Sequence, residues 1–210
     1  PSWVEFLRAL VKARVNIIVS GGTGVGKTTF LNLLMAEIPQ NERIVTIEDT
    51  IELHLTNPNL VRMEMLGQSS QVGAGLKMRD LVKNTLRMRP DRIILGEVRG
   101  EEFFELLQAM NTGHDGSMTS IHANSSAECV QRMETLFLMT GLDVPNQVVR
   151  KQISTAVDFI IQLGRNREGE RSVQHIGEIT GMESNTIQMQ MLGNHEDGKL
   201  KPSGMTPSHW

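Results

Sequence analysis

The chain has 210 residues, of which 39% are hydrophobic and 21% charged, so it is long enough to bury a sizeable core within one globular domain. Its formal net charge of −3 excludes the strongly basic overall field that is typical of proteins coating nucleic acid or anionic lipid. A single cysteine, Cys129, excludes a disulfide within the chain, and no run of about 18 apolar residues is present to span a bilayer.

Periodicity and turn signals predict alternating helices and strands along most of the chain. Helices are expected over residues 3–14, 29–38, 79–88, 101–110, 125–140 and 146–156; strands over 16–20, 42–49, 61–65, 92–97 and 117–122; and a polar, glycine-rich loop over 66–76. This alternation predicts an α/β fold with a mostly parallel sheet flanked by crossover helices. From residue 159 onward, β-rich segments separated by turns predict a small C-terminal β-rich extension.

A glycine-rich segment with the sequence GGTGVGKTT follows the first predicted strand. It matches the pattern G-x-x-x-x-G-K-[ST], in which glycines let backbone N–H groups surround a phosphate at the positive end of a helix. Lys27 is expected to reach the outer phosphates, and the hydroxyl of Thr28 is expected to bind magnesium directly. The segment predicts binding of a nucleoside triphosphate by Gly21, Gly22, Thr23, Gly24, Val25, Gly26, Lys27, Thr28 and Thr29.

Carboxylates follow two of the predicted buried strands. The strand over residues 92–97 ends in Gly96-Glu97, which resembles a Walker B strand and is expected to lie beside the strand that carries the phosphate loop. Its acid could hold the water shell of magnesium or polarise the attacking water, although the common form of this motif ends in Asp. The strand over 42–49 leads into Glu48, Asp49 and Glu52. Carboxyl ends of strands carry the ligands in open α/β sheets, but a solvated acidic loop would explain these three residues equally well.

Two histidines, His114 and His122, flank the strand predicted over residues 117–122. A lone histidine is more often a structural residue with its hydrogen bonds satisfied. Two histidines on the segment that follows the Walker B strand make a functional role a stronger candidate.

The motifs GGTGVGKTT, TIEDTIEL, LRMRPDRIILGEVRG and TGHDGSMTSIHANS occur in this order in the secretion, or traffic, ATPases, and the chain resembles that family over residues 10–192. Members drive type II and type IV secretion and assemble or retract type IV pili. The sequences of the third and fourth motifs, together with the segment EITGMESNTIQMQML, are most similar to the tight-adherence (Flp) pilus motor branch. The resemblance implies a RecA-like P-loop NTPase fold, an ATPase that uses ATP/ADP and Mg²⁺, and a role in pilus assembly or protein secretion.

The resemblance also implies roles for individual residues. Glu97 corresponds to the Walker B acid, which would hold magnesium through water, and Glu48 lies where the family has its catalytic glutamate. Which of these two carboxylates is the base stays open, and Asp49 and Glu52 would be secondary. His114 and His122 resemble the histidines that link the nucleotide state to contacts between subunits.

Residues 1–180 are expected to form the C-terminal ATPase domain of the family without its N-terminal domain, and residues 181–210 the β-rich extension and a loose tail. The expected partners are further copies of the chain, forming a homo-hexamer through the nucleotide interface, and an inner-membrane platform protein, with no nucleic acid. The expected location is cytoplasmic, on the cytoplasmic face of the inner membrane. Because the family's N-terminal domain is thought to supply arginines to the site, slow hydrolysis is expected from this chain alone.

Two alternatives share the phosphate-loop signal. One is a DNA-coupled RecA-like ATPase, either a helicase or a conjugative-transfer motor, against which the low aromatic content of 4% and the acidic balance both count. The other is a nucleotide-gated scaffold that organises partners without turnover.

Overall fold

The structure is a computed structural model that describes residues 2–65, 75–166 and 168–208. Most of the polar loop expected over residues 66–76 lies outside these ranges. The described elements, in chain order, are α1 (Trp3–Lys12), β1 (Ile17–Gly21), α2 (Lys27–Met35), β2 (Ile44–Glu48), β3 (Leu60–Glu64), α3 (Met78–Thr85), β4 (Arg92–Leu95), α4 (Glu102–Asn111), β5 (Met118–His122), α5 (Ser126–Leu138), α6 (Asn146–Ala156), β6 (Phe159–Arg165), β7 (Arg171–Glu183), β8 (Thr186–Glu196) and β9 (Lys199–Pro202).

All the described strands form one sheet in the order β3-β2-β4-β5-β1-β6-β7-β8-β9. The first six strands in this order are parallel, and β6 to β9 continue the sheet as antiparallel neighbours. The expected α/β class with a mostly parallel sheet and a β-rich end is therefore confirmed. The expectation that the Walker B strand lies beside the loop-bearing strand is wrong, because β5 lies between β4 and β1.

Burial explains why the central strands read as continuous apolar runs. Every residue of β1, β2 and β4 is buried, as a strand covered by helices on both faces requires. One face of the sheet packs against α1 and α2, through residues such as Leu10 and Leu31. The opposite face packs against α3 to α6, through residues such as Phe103 and Ile153.

The starts of the helices follow local capping chemistry. Ser2 and Glu5 form a reciprocal capping box at the start of α1, and the Ser125 side chain accepts a hydrogen bond from the Glu128 N–H at the start of α5. The carboxylate of Glu128 accepts from Asn124. Helix α2 begins two residues earlier than expected, because the glycine-rich loop passes directly into its first turn.

The C-terminal strands belong to the same sheet as the strands that carry the glycine-rich loop and the acidic motifs. The boundary expected after residue 180 falls inside β7, which pairs with β6 on one side and β8 on the other. The indole N–H of Trp3 donates to the carbonyl of Leu200 at 2.8 Å and so links α1 to β9. The buried carboxylate of Glu178 accepts hydrogen bonds from the backbone N–H and hydroxyl of Ser208, which fastens the tail to β7. Among the described residues, no helix combines the length and apolar character needed to cross a bilayer.

A buried ion pair lies near the amino end of β4, away from the strand ends that face the cleft described below. Arg92 is fully buried, and its guanidinium donates two hydrogen bonds to the carboxylate of Glu42 at 2.6 and 2.9 Å. A β-carbon on Gly116 would lie only 2.7 Å from the guanidinium nitrogen Nη1 of Arg92, so a glycine is needed there. The buried guanidinium of Arg92 therefore packs directly against the backbone that leads into β5.

Replacement of Glu42 by alanine should lower the free energy of unfolding by about 3 kcal/mol or more, because it leaves the buried charge of Arg92 uncompensated. Glu37→Ala is the matched control: it removes the carboxylate of an ion pair with Arg8, whose side chain is 51% exposed, and should cost less than about 1 kcal/mol. Urea unfolding of the two variants measures both values. Equal effects would contradict this account of the ion pair.

Candidate functional site

The carboxyl ends of the central parallel strands open into a cleft of about 940 Å³. Four segments that are distant in sequence meet there. The residues with predicted roles that line it are Thr23, Gly24, Gly26, Lys27, Thr28, Thr29, Glu48, Asp49, Glu52, Glu97 and His122. Gly21 ends β1 and Val25 packs into the hydrophobic core, so these two residues connect the loop to the rest of the fold.

The glycine-rich loop has the backbone conformation that its composition predicts. Gly24 and Gly26 have φ angles of 70° and 95°, in the left-handed region that favours glycine. Gly26 is the N-cap of α2, and no side chain caps this helix end. The unsatisfied N–H groups of the first turn are therefore free to bind an anion.

Lys27 places a positive charge at the start of α2. Its ammonium donates to the carbonyls of Gly21 and Gly22, each at 3.0 Å. Partial burial lowers the pKa of Lys27, and the nearby carboxylate of Glu97 opposes that effect. A partly desolvated cation of this kind gains more from an incoming anion than a lysine in open solvent would.

Glu48 has one anchored oxygen and one free oxygen. Its Oε1 accepts hydrogen bonds from the backbone N–H groups of Glu52 and Leu53 at 2.9 and 2.8 Å. Its Oε2 is buried and has no hydrogen-bond partner among the described residues. A buried carboxylate oxygen without a partner is costly unless something else binds it, and this oxygen belongs to a residue that lines the cleft.

Gly96 explains why this strand departs from the common motif that ends in Asp. A β-carbon at Gly96 would lie 3.1 Å from Cγ of Glu48, on the neighbouring strand β2. The backbone N–H of Gly96 also donates to the carbonyl of Ile47, which keeps the two strand ends in register. Glycine at this position leaves room for the Glu48 side chain, and the acid of the motif follows one residue later as Glu97.

Glu97 is held by a neighbour from its own loop. The guanidinium of Arg99 donates to Oε2 of Glu97 at 2.7 Å, and this hydrogen bond is the main cause of the raised pKa of Arg99. Arg99 also lies 3.7 Å from the exposed carboxylate of Asp49. The two candidate bases thus differ: Glu97 is neutralised by an arginine, whereas Glu48 is not.

The donors around Thr28 fit magnesium that is bound mainly through the phosphates of a substrate. The Thr28 hydroxyl lies 3.3 Å from Oε2 of Glu52, and Glu97 lines the same cleft. In the described part of the chain, no three His, Cys, Asp or Glu side chains come close enough to hold a metal by themselves. Magnesium typically takes one or two protein oxygens and keeps several waters, which matches this donor set.

The two histidines lie at opposite ends of β5. His122 ends the strand and lines the cleft. His114 precedes the strand, and its Nδ1 lies 3.3 Å from the carbonyl of Ala109 at the end of α4. The structure therefore does not bring His114 to the cleft, because a strand of five residues separates the two positions.

Sequence reasoning missed several residues at the cleft. Ser120, Arg132 and Arg171 line it, and Arg165 donates to the carbonyl of Gly24 at 2.6 Å. These residues carry no motif of their own, and only the fold brings them to the loop. The one available signal was a pair of arginines that flank the turn between the first two β-rich segments.

A double-mutant cycle tests the close approach of Gly96 and Glu48. Gly96→Ala should lower the free energy of unfolding by about 1 kcal/mol in the wild-type chain, because the added methyl group forces the Glu48 side chain aside. In a Glu48→Ala background the methyl group meets no Cγ, and the same substitution should cost close to nothing. Urea unfolding of the four proteins gives the coupling energy. A coupling energy of zero would show that the two residues do not constrain each other.

Comparison with known proteins identifies the family. A family model described as "Type II/IV secretion system protein" matches residues 2–195. The chain is 39% identical over 176 residues to the type IV secretion system protein VirB11 of Bartonella quintana, covering 83% of this chain and 49% of that protein. It is 37% identical over 194 residues to the conjugal transfer protein TrbB of Rhizobium radiobacter, covering 91% of this chain and 56% of that protein.

A solved structure shares the fold. The crystal structure of the VirB11 ATPase from the Brucella suis type IV secretion system, in complex with sulphate, matches with a TM-score of 0.77 at 32% identity, covering 84% of this chain and 52% of that one. The chain thus spans about half the length of the curated relatives it matches. The resemblance drawn from the four motifs is confirmed at this level: the chain belongs to the type II/IV secretion system protein family.

Proposed function

We propose that this chain hydrolyses ATP in the cleft at the carboxyl ends of β1, β2 and β4, as the motor domain of a secretion or pilus machine. The observation that carries the proposal is that Glu48 lines the same cleft as the phosphate loop, while its buried Oε2 has no hydrogen-bond partner among the described residues. Hydrolysis needs a carboxylate that can orient water beside a bound triphosphate, and this arrangement supplies one.

Binding rests on the loop and on the helix that follows it. The left-handed conformations of Gly24 and Gly26 turn the backbone around the space in front of α2. The ammonium of Lys27, now shared between two carbonyl oxygens, would move to the outer phosphates of ATP. Since the charge of Lys27 is already partly desolvated, this exchange has a low cost.

The cleft also provides for magnesium. Mg²⁺ would neutralise charge on the phosphates. Thr28 would supply its direct protein oxygen, and Glu97 would hold one of its waters. Glu52, which now contacts the Thr28 hydroxyl, is placed to accept from another water.

Glu48 is the better candidate for the residue that positions the attacking water. Two backbone N–H groups hold its Oε1, so the orientation of the whole carboxylate, including Oε2, is set by the backbone. The carboxylate of Glu97 is instead occupied by a hydrogen bond from the guanidinium of Arg99. We therefore assign the base to Glu48 and the support of magnesium to Glu97, the choice that sequence alone leaves open.

Assembly into a hexameric ring through the nucleotide cleft is part of the proposal. His122 lies in the cleft and would report the nucleotide state to the next subunit. His114, at the far end of β5, would act on a subunit contact away from the cleft. An inner-membrane platform protein and a position on the cytoplasmic face of the membrane complete the proposal. The sequences of the third and fourth motifs favour the tight-adherence pilus branch within the family.

Conjugal transfer is a second candidate role. The observation that favours it is the 37% identity to a relative named as a conjugal transfer protein. The net charge of −3 and the low aromatic content count against direct contact with DNA. Stimulation of hydrolysis by single-stranded DNA would favour the conjugal role, and no stimulation would favour secretion of protein or assembly of pili.

Glu48→Gln should slow single-turnover hydrolysis by about 10²-fold or more, because it removes the base while keeping the shape of the side chain. The affinity for ATP should stay within about threefold of the wild-type value. Glu97→Gln should instead raise the magnesium concentration needed for half-maximal rate. Rapid-quench measurement of phosphate release across a magnesium titration separates the two effects.

Glu183→Gln, at the exposed end of β7 and outside the lining of the cleft, serves as a matched control and should change neither quantity. Unchanged hydrolysis by Glu48→Gln would refute the assignment of the base. Nucleotide binding with no phosphate release from the wild-type protein, even when assembled with its partners, would favour the scaffold alternative.

A further inference from the structure

Two arginines face each other where β6 and β7 meet the phosphate loop. Arg165 is the last residue of β6 and Arg171 the first residue of β7, and the two are directly opposite in the antiparallel pair. Both are exposed, and both extend toward the glycine-rich loop.

Each arginine lies beside a different glycine of the loop. The guanidinium of Arg165 donates to the carbonyl of Gly24 at 2.6 Å. The side chain of Arg171 passes alongside the N-cap of α2: a β-carbon on Gly26 would lie 3.5 Å from Cδ and 3.8 Å from Nη1 of Arg171. Arg171 also lines the cleft itself.

The pair places two positive charges next to each other, on either side of a turn that also contains Glu168 and Glu170. Like charges directly opposite on neighbouring strands repel each other. Among the ion pairs of the described ranges, none includes Arg165 or Arg171. The nearby carboxylate of Glu170 accepts a hydrogen bond from the side chain of Asn166, its partner across the turn. An anion in the cleft would relieve this repulsion.

We propose that Arg171 binds the phosphate chain of the nucleotide from within the same subunit, and that Arg165 is a positioning residue that holds the loop through Gly24. This inference rests on the proposed function, because it concerns the same substrate in the same cleft. Arginine is suited to the role, since its planar guanidinium donates several hydrogen bonds to phosphate oxygens and keeps its charge.

The arginines of the β6–β7 pair bear on which part of the protein supplies arginine to the nucleotide site. The family resemblance implies that the family's N-terminal domain supplies arginines to the site. The β6–β7 pair places two guanidinium groups at the loop within the chain itself. Nucleotide affinity should therefore be largely a property of this chain, whatever other domains add to the rate of hydrolysis.

The test compares binding of fluorescent ATP, ADP and AMP analogues by the wild-type chain and its variants. Arg171→Ala should raise the Kd for ATP and for ADP by about tenfold, and the Kd for AMP by less than about threefold, because the lost contact is to the phosphate chain. Arg171→Lys should lie between wild type and Arg171→Ala. Arg8→Ala, which removes an exposed arginine on α1, is the control and should change none of the three values.

The outcomes separate this inference from the proposed function. Wild-type binding that Lys27→Ala abolishes, together with no change in Arg171→Ala, would overturn the role of Arg171 and leave the nucleotide site intact. An equal loss of affinity for ATP, ADP and AMP in Arg171→Ala would also overturn it, because the contact would then be to the base or ribose. Failure of the wild-type chain to bind any of the three would overturn both.

The positioning role of Arg165 is tested by measuring ATP affinity and melting temperature in the same variants. Arg165→Ala should weaken ATP binding by about threefold with an unchanged melting temperature in the absence of nucleotide. Arg165→Lys keeps a charged donor for the carbonyl of Gly24 and should restore most of the affinity. Loss of affinity in both variants in proportion to a lowered melting temperature would refute the positioning role.

Discussion

The site depends on the close approach of two strand ends, where the side chain of Glu48 passes over the backbone of Gly96. Strands β2 and β4 are adjacent and parallel, so their carboxyl ends deliver both residues to one edge of the sheet. Two backbone N–H groups then fix one oxygen of Glu48, and the other is buried with no hydrogen-bond partner among the described residues. A larger residue at position 96 would crowd Cγ of Glu48 and so displace the side chain that anchors the backbone N–H groups of Glu52 and Leu53.

Much of this arrangement could be predicted from sequence because its causes are local. The glycine-rich loop, the helix start at Ser125 and the bounds of α6 follow from short-range chemistry that a pattern captures. Acids after buried strands predict one shared edge, since all carboxyl ends of a parallel sheet lie together. For this reason Glu48 and Glu97 are expected near the loop, and the structure places both at the cleft, together with His122.

The rest depends on long-range pairing that no local pattern encodes. The order of the strands, with β5 between β1 and β4, follows from packing of the whole sheet. Two histidines eight residues apart look equivalent in sequence, yet the length of β5 places them at opposite ends of the strand. The arginines of β6 and β7 reach the loop only because β6 pairs with β1, more than a hundred residues earlier in the chain.

The central claim is that Glu48, rather than Glu97, faces the water that attacks the terminal phosphate. A crystal structure of the chain with magnesium and a non-hydrolysable ATP analogue tests this most directly. The account predicts an ordered water that is hydrogen-bonded to Oε2 of Glu48 and lies next to the terminal phosphate. Glu97 should face the water shell of magnesium. A water held by Glu97 alone, with Oε2 of Glu48 turned away from the phosphates, would contradict it.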